Sequence, residues 1–361
     1  MNNKNTEPFI HIAKRDDIKK SEAWIIRFAA IVLAVFICGI LTTAITGLNP
    51  INVYASFIQG AFGSVRKTWI TMQNMSILLI ISLALTPAFM MKFWNIGGEG
   101  QVLMGGLASA ACMITMSGKL PNAVIIILMI ITSILAGAIW GLIPAVCKAL
   151  WNTNETLATL MMNYIATQLV AFYIIVWEVP KGSGKIGIIN QDSNIGWLPE
   201  VGNKYLLSII VALLVTVLLY IYLKYTKQGY EIMVVGESTR TARYAGISTR
   251  KVILRTMAIS GGLCGLAGLL LVGGINHTIT TTIAGGEGFT AVMVSWLAKF
   301  NPITMIFTSL LIVFMGRGAS EISTAFELNQ SFADILTGII LFFIIGCEFF
   351  INYKVKFNKK K

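Results

Sequence analysis

Long apolar runs alternate with short polar interruptions along the whole chain. The runs cover residues 24–46, 70–91, 98–117, 121–147, 156–177, 205–223, 256–275, 287–299, 302–316 and 332–351. A helix needs roughly 20 apolar residues to cross a bilayer. The pattern therefore predicts an all-α polytopic membrane protein of about ten transmembrane helices. The eighth and ninth runs are short, and Asn301-Pro302 interrupts the chain between them, which predicts a broken or re-entrant unit. The first run outlasts the roughly 7–15 apolar residues of a signal peptide, so it is expected to remain as the first helix.

The polar stretches then divide the chain. Residues 1–23 form an amino-terminal segment, 24–351 the membrane domain, and 352–361 a basic tail. Two longer loops, 178–204 and 224–255, mark the repeat halves as about 24–177 and 205–351.

Composition narrows the class. Apolar residues make up 56% of the 361 positions and charged ones 12%, against roughly 45–50% and about 25% in soluble domains. That excludes a soluble, disordered or disulfide-stapled secreted protein. The five cysteines all fall inside apolar runs without a CxxC pair, so they read as small buried residues. His11 and His277 are too few for a metal or proton-relay cluster.

A net charge of +12 would suggest nucleic acid on a soluble protein. Here its distribution decides. With the amino terminus inside and ten alternating spans, 21 of the 28 Lys and Arg residues fall on the cytoplasmic side and 7 outside. This bias predicts both termini in the cytoplasm, loop 178–204 outside and loop 224–255 inside, with membrane lipid and not nucleic acid as the contact. The basic 224–255 loop reads either as a topology signal touching anionic lipid or as a docking element for a partner. A short amphipathic helix with Arg240, Arg243 and Tyr244, closed by Gly246, suits the second reading.

The tetrapeptide GGEG occurs at Gly97–Gly100 and at Gly285–Gly288, five spans apart. Weaker echoes are KLPN at 119–122 with KFNP at 299–302, and NET at 154–156 with NQS at 329–331. This is the pattern of a five-plus-five inverted repeat. Each motif supplies glycines for a tight turn and a carboxylate, Glu99 or Glu287, at the positive end of a helix. The motif reads either as simple helix capping or as a polar break lining a substrate path, and the two are compatible. Glu155, Asn163 and Gln168, with Asp334 and Glu348, are further polar groups within spans, where carboxylates are costly and functional by default. Glu155 and Asn163 share one helix face; interhelical hydrogen bonding is the plainer reading. Glu348 is expected at the interface or near Lys354.

No phosphate loop, HExxH, GxSxG or nucleophile-with-base arrangement occurs; GSGK at 182–185 lacks the upstream glycine and the hydroxyl. Energy for transport must come from an ion gradient or a partner protein.

Four stretches carry a family resemblance: FWNIGGEGQVLMGG at 93–106, NETLATLMMNYIA at 154–166, residues 229–274 from GYEIMVVGESTRTARYAGI onward, and GGEGFTAVMVSWLAKFNP at 285–302. Together they resemble the inner-membrane permease family of ABC importers for sugars, branched-chain amino acids and nucleosides. The 154–166 stretch looks like the nucleoside branch, which is associated with basic membrane lipoproteins. The resemblance implies a permease chain paired with the same or a homologous second permease. It also implies a separate ABC ATPase that consumes the ATP and an external substrate-binding lipoprotein, in a bacterial plasma membrane. The chain itself is then not an enzyme and holds no cofactor or metal.

The resemblance places Gly236, Arg240, Ala242, Arg243, Tyr244, Ala245, Gly246 and Ile247 in the loop that docks on the ATPase. Thr241 departs from the usual Ala or Glu there. Candidates for stacking on a base are Trp94 and Phe289, and for holding a ribose Asn95, Glu99, Gln101 and Asn163, with Glu155 and Glu287 along the path. Trp296, where small residues and Leu are usual, either narrows that path or packs against lipid. The alternatives are a permease for a simple sugar such as ribose, an ion-coupled secondary transporter with inverted repeats, or a non-transporting scaffold.

Overall fold

The computed structural model describes residues 10–15, 19–47 and 49–357. Residues 1–9 and 16–18 of the amino-terminal segment, and 358–361 of the basic tail, lie outside the described residues. Thirteen helices occur among the described residues. They are α1 (Lys20–Thr46), α2 (Pro50–Phe62), α3 (Val65–Met90), α4 (Gly98–Met116), α5 (Asn122–Trp151), α6 (Glu155–Trp177), α7 (Leu206–Tyr225), α8 (Lys227–Glu237), α9 (Thr239–Tyr244), α10 (Thr249–Leu269), α11 (Glu287–Leu297), α12 (Pro302–Ala325) and α13 (Gln330–Asn352). A π-helical segment, Leu270–Asn276, prolongs α10.

Asparagine starts several of these helices by accepting backbone N–H groups that have no partner in the first turn. Asn49 accepts from Ile51, Asn154 from Thr156 and Leu157, Asn301 from Ile303, and Asn329 from Ser331. Pro50 and Pro302 follow two of these caps, where a missing N–H costs nothing.

Eight helices are long and apolar enough to cross a membrane among the described residues: α1, α3, α5, α6, α7, α10 with its π segment, α12 and α13. The chain is thus a multi-pass, all-α membrane protein. The remaining two of the ten apolar runs are α4 and α11, the helices that the GGEG segments open. At 11 residues, α11 is about 16 Å long, half the hydrocarbon thickness. The ninth run is longer than expected, because α12 continues through Gly316, Arg317 and Gly318 to Ala325. The apolar-run pattern did not show α2 because it is short and shows no span-length run.

The contacts form two compact units, residues 1–71 with 311–361, and residues 72–310. In the first unit α1 packs along α13. Arg27 Nε donates to Glu348 at 3.0 Å, and Cys38 Sγ donates to the Leu336 carbonyl. Glu348 meets Arg27, a partner that its position in the sequence did not suggest. Phe57 and Phe62 of α2 lie against Phe314 of α12, and Lys67 Nζ pairs with Glu321 at 2.7 Å. The amino-terminal segment and the tail, read above only as polar ends, pair as antiparallel strands β1 (Ile10–Lys14) and β2 (Tyr353–Phe357), with Ile10 opposite Phe357.

In the second unit α4, α5 and α10 form the centre. Gly105 lies against Gly265 and Gly137 against Gly261 so closely that backbones touch, the close approach that small residues permit between membrane helices. Around this seam Leu103, Met113, Ile125, Met129, Val170 and Val272 are buried.

Loop 178–204 is folded onto the end of this core. Leu198 N donates to the Gly273 carbonyl and Ile189 N to the His277 carbonyl. Asn190 Nδ2 donates to the carbonyls of Met113 and Ile195. The amides of Gly182 and Gly184 donate to the Glu178 carboxylate at 2.7 Å each, and they hold that carboxyl below the usual carboxylate range. Trp197 stacks on His277 with centroids 3.7 Å apart and planes 6° off parallel.

Burial of His277 lowers its pKa from the ordinary value, with Lys204 adding to the effect and Glu200 opposing it. The sign follows: a depressed histidine pKa contributes stability that is present above the unfolded value of about 6.5 and lost as pH falls through the folded one. The protection of the Ile189 and Leu198 amides, meaning exchange corrected for intrinsic rates, is expected to be lower at pH 5.5 than at pH 7.5. His277→Phe, which keeps the stack without the proton, should make exchange in this pH range much less pH-dependent after correction for intrinsic rates.

Candidate functional site

The two GGEG segments meet. Glu99, in the first turn of α4, reaches the start of α11: Gly286 N donates to Oε1 and Gly288 N to Oε2, each at 2.9 Å. These amides lack intrahelical acceptors, being the first of their helix, and they carry its positive dipole end. A carboxylate from one half of the chain thus caps a helix from the other. Gly288 lies so close to the Glu99 backbone that a Cβ would overlap it. Glu287 stands beside this contact, and its Oε2 is buried with no hydrogen-bond partner among the described residues.

Loop 91–97 carries Glu99 into place, and a polar network holds that loop. Phe93 N donates to the Ala88 carbonyl and Lys92 N to the Phe89 carbonyl, closing α3 with Lys92 in the left-handed region. Asn95 is fully buried. Its Nδ2 donates to Ser260 Oγ at 3.1 Å, and its Oδ1 accepts from Gly97 N and Gln101 Nε2. Asn163 Oδ1 accepts from Gly100 N at 2.8 Å while its Nδ2 donates to the Ile96 carbonyl. Thr159 Oγ1 accepts from Ile96 N at 3.2 Å. Asn95, Gln101 and Asn163 thus spend their polar atoms on this loop. Sequence reasoning missed Thr159 and Ser260. The available signal for Thr159 was its position four residues from both Glu155 and Asn163, on the face they share.

Aromatic side chains flank the network. Trp94 stacks on Trp296 of α11 with centroids 5.4 Å apart and planes 22° off parallel. Phe89 and Phe300 surround them, with Phe300 5.1 Å from Trp296. Trp94 is 44% exposed and Trp296 46%. Phe289, seven residues before Trp296, is also exposed on α11.

Glu155 is not part of this group. It pairs with Lys148 Nζ at 2.9 Å and lines a cavity of about 490 Å³ with Arg240 and Gly236. This cavity lies beside the 224–255 loop, which is folded as α8 and α9. Gly236 approaches the Met90 carbonyl at the end of α3 so closely that a Cβ would overlap it. In α9, Ala242 is fully buried while Arg240, Arg243 and Ala245 are exposed and Tyr244 is 93% exposed. Gly246, at φ +74°, closes the helix: its N–H donates to Arg243, and Ile247 N donates to Ala242. Among the described residues no three His, Cys, Asp or Glu side chains converge to hold a metal ion.

A family of proteins described as branched-chain amino acid transport system, permease component, matches residues 69–345. The guanosine ABC transporter permease protein NupP of Bacillus subtilis is 28% identical over 94% of this chain and 97% of its own. The nucleoside ABC transporter permease protein NupB of Lactococcus lactis is 28% identical over 86% of this chain and 87% of its own. The glucose ABC transporter permease protein of Haloferax volcanii is 26% identical over 90% and 88%. No solved structure matches.

Proposed function

Because the chain belongs to the family of branched-chain amino acid transport permease components, we propose that it forms the translocation path of an ATP-driven importer for a nucleoside. The observation that carries this reading is the similarity over almost full length to the guanosine permease of Bacillus subtilis. The exposed aromatic rings beside a polar, carboxylate-bearing helix junction support it, since a base stacks and a ribose donates hydrogen bonds.

In this proposal the chain is a transport subunit in a bacterial plasma membrane, with both termini cytoplasmic. It pairs with a second permease of the same or a homologous kind. An external lipoprotein delivers the nucleoside, and a partner ATPase hydrolyses ATP. Arg240, Arg243 and Tyr244 on α9 face that ATPase. Motion of the ATPase displaces α9 and α8, and the contact of Gly236 with the Met90 carbonyl passes the displacement to α3 and loop 91–97. Glu99 and the start of α11 follow, because two hydrogen bonds tie them.

The deciding experiment is uptake of labelled guanosine, adenosine, uridine, ribose and glucose by the assembled complex in proteoliposomes. Nucleoside uptake that stops without ATP is expected. Uptake of ribose or glucose but of no nucleoside would assign the chain to sugars, as the Haloferax volcanii relative suggests. Uptake that survives ATP depletion and fails with an uncoupler would indicate ion coupling. Tyr244→Ala, which removes an exposed ring and no buried contact, is expected to lower ATP-driven uptake about tenfold or more, as loss of an aromatic anchor does at other interfaces, without changing the thermal unfolding of the permease.

A further inference from the structure

The reading above uses the exposed rings only as a surface on which a base can stack, and not the stack that Trp94 and Trp296 form with each other. We infer that Trp94 and Trp296 form the cytoplasmic gate of the path, and that the gate selects its substrate by admitting a planar base between the two indoles. The inference deepens the nucleoside reading and rests on it.

Three observations carry it. First, the pair is closed in this structure, with centroids 5.4 Å apart and an interplanar angle of 22°. A base inserted between two rings needs about 7 Å, twice the 3.5 Å contact distance of stacked carbons. The planes of a stacked pair lie about 3.5 Å apart, the rest of the centroid distance being lateral offset, so opening asks the planes to part by about 3.5 Å, less than the one-turn ratchet of about 5.4 Å known at switching interfaces. Second, the pair is half-exposed on one side and backed on the other by Phe89 and Phe300, with Phe89 6.1 Å from Trp94 and 6.3 Å from Trp296. The rings thus have a firm apolar wall behind them and an accessible face in front.

Third, each indole is attached to an element that moves in the proposed cycle. Trp94 lies four residues after Met90, whose carbonyl meets Gly236 of α8. Trp296 belongs to α11, whose first amides are held by Glu99. Displacing α8 moves Trp94 directly. The start of α11 follows Glu99, but its far end is restrained separately: Ser295 Oγ, next to Trp296, donates to the Ser82 carbonyl in the middle of α3 at 3.0 Å. The two rings can therefore part instead of moving together.

The chemistry predicts which solutes pass easily. A flat, polarisable base regains on insertion the ring contact that opening removes, and stacking tolerates any base because each has a π-face. A sugar without a base has no such face and meets an opened, unfilled slot.

The test uses the assembled complex in proteoliposomes with Trp296→Leu, Trp94→Leu and Trp296→Phe. The ratio of guanosine to ribose uptake is measured together with ATP hydrolysis. Each leucine variant is expected to lower that ratio about tenfold while hydrolysis continues, and Trp296→Phe is expected to restore most of it. An unchanged ratio in both leucine variants would overturn the gate, as would an equal loss for both solutes. If the wild-type complex carries ribose or glucose and no nucleoside, the nucleoside reading fails first, and that result is visible before any variant is made.

A second measurement does not depend on the variants being active. Stacked indoles give a coupled near-ultraviolet circular-dichroism signal, identified as the part lost in Trp296→Phe. It is expected in the resting complex and should disappear in the complex trapped with vanadate and ATP. The same signal in both states would also overturn the inference.

Discussion

Glu99→Ala is expected to abolish uptake while leaving the ATPase able to bind. The Glu99 carboxylate accepts the first amides of α11 from Gly286 and Gly288, both at 2.9 Å. Hydrogen bonds to a charged group contribute roughly 1.5–3 kcal/mol each, and an amide left without a partner away from water is costly in addition. Losing both amounts to about 3–6 kcal/mol at the one point where the two GGEG segments are tied. A tenfold change in an equilibrium is about 1.4 kcal/mol, so the tie would fall by two orders of magnitude or more. Glu99→Gln retains one acceptor oxygen and turns an amide nitrogen toward an N–H donor, so it is expected to fall between wild type and Ala. Uptake in proteoliposomes and thermal unfolding of the purified complex separate the two consequences. Normal uptake by Glu99→Ala would remove this junction from the path.

Gly236→Val is expected to uncouple the importer. Any Cβ at this position overlaps the Met90 carbonyl, a backbone atom that cannot swing aside as a side-chain end can. Overpacking at a close contact typically costs about 1–3 kcal/mol, and it moves the backbone when no rotamer relieves it. Here the relief is a displacement of α8 away from α3, which breaks the linkage from α9 to loop 91–97. ATP hydrolysis should persist, and uptake per ATP should fall about tenfold or more. Gly236→Ala should show the same effect more weakly. The check is simultaneous measurement of phosphate release and guanosine uptake; equal coupling in Gly236→Val and wild type would show that force passes elsewhere. The contrast with Tyr244→Ala is informative, because that change is expected to weaken the proposed docking itself, whereas Gly236→Val alters a buried contact away from the exposed face of α9.

Much of the architecture was legible in the chain. Apolar runs of span length mark helices because a backbone in lipid must satisfy its own hydrogen bonds. Nine of the ten runs became helices of 18 residues or more. The short run at 287–299 became the half-length α11, bounded by left-handed backbone on both sides: Gly285 and Gly286 at φ +60° and +76° before Glu287, and Lys299 and Phe300 at φ +51° and +59° after Leu297. The short helix of the 224–255 loop, with its glycine closure, was also legible, since left-handed closure by glycine is a local property. Elements without a span-length run, α2 and the β1–β2 pair, were not.

The candidate site was legible in part. Residue types in an apolar context singled out Glu99 and Asn163, because polar groups in lipid are rare and costly; Asn95 and Gln101 entered only with the nucleoside resemblance, as candidates for holding a ribose. Their partners were not readable: Ser260 lies 165 residues from Asn95, and Gly286 lies 187 residues from Glu99. Glu155 shows the limit in the other direction. It shares a face with Asn163, yet the nearby Lys148 takes its carboxylate toward the 224–255 loop.

The sequence by itself determined that the chain is a multi-pass helical membrane protein, roughly where its apolar helices lie, and that one tetrapeptide occurs in both halves. These follow from local rules: apolar length and glycine turns. Only the tertiary structure decided that the two GGEG segments face each other, that Gly236 touches α3, and that Trp94 closes on Trp296. Such contacts depend on how distant helices pack at the level of single backbone atoms, and no local pattern along the chain encodes that distance.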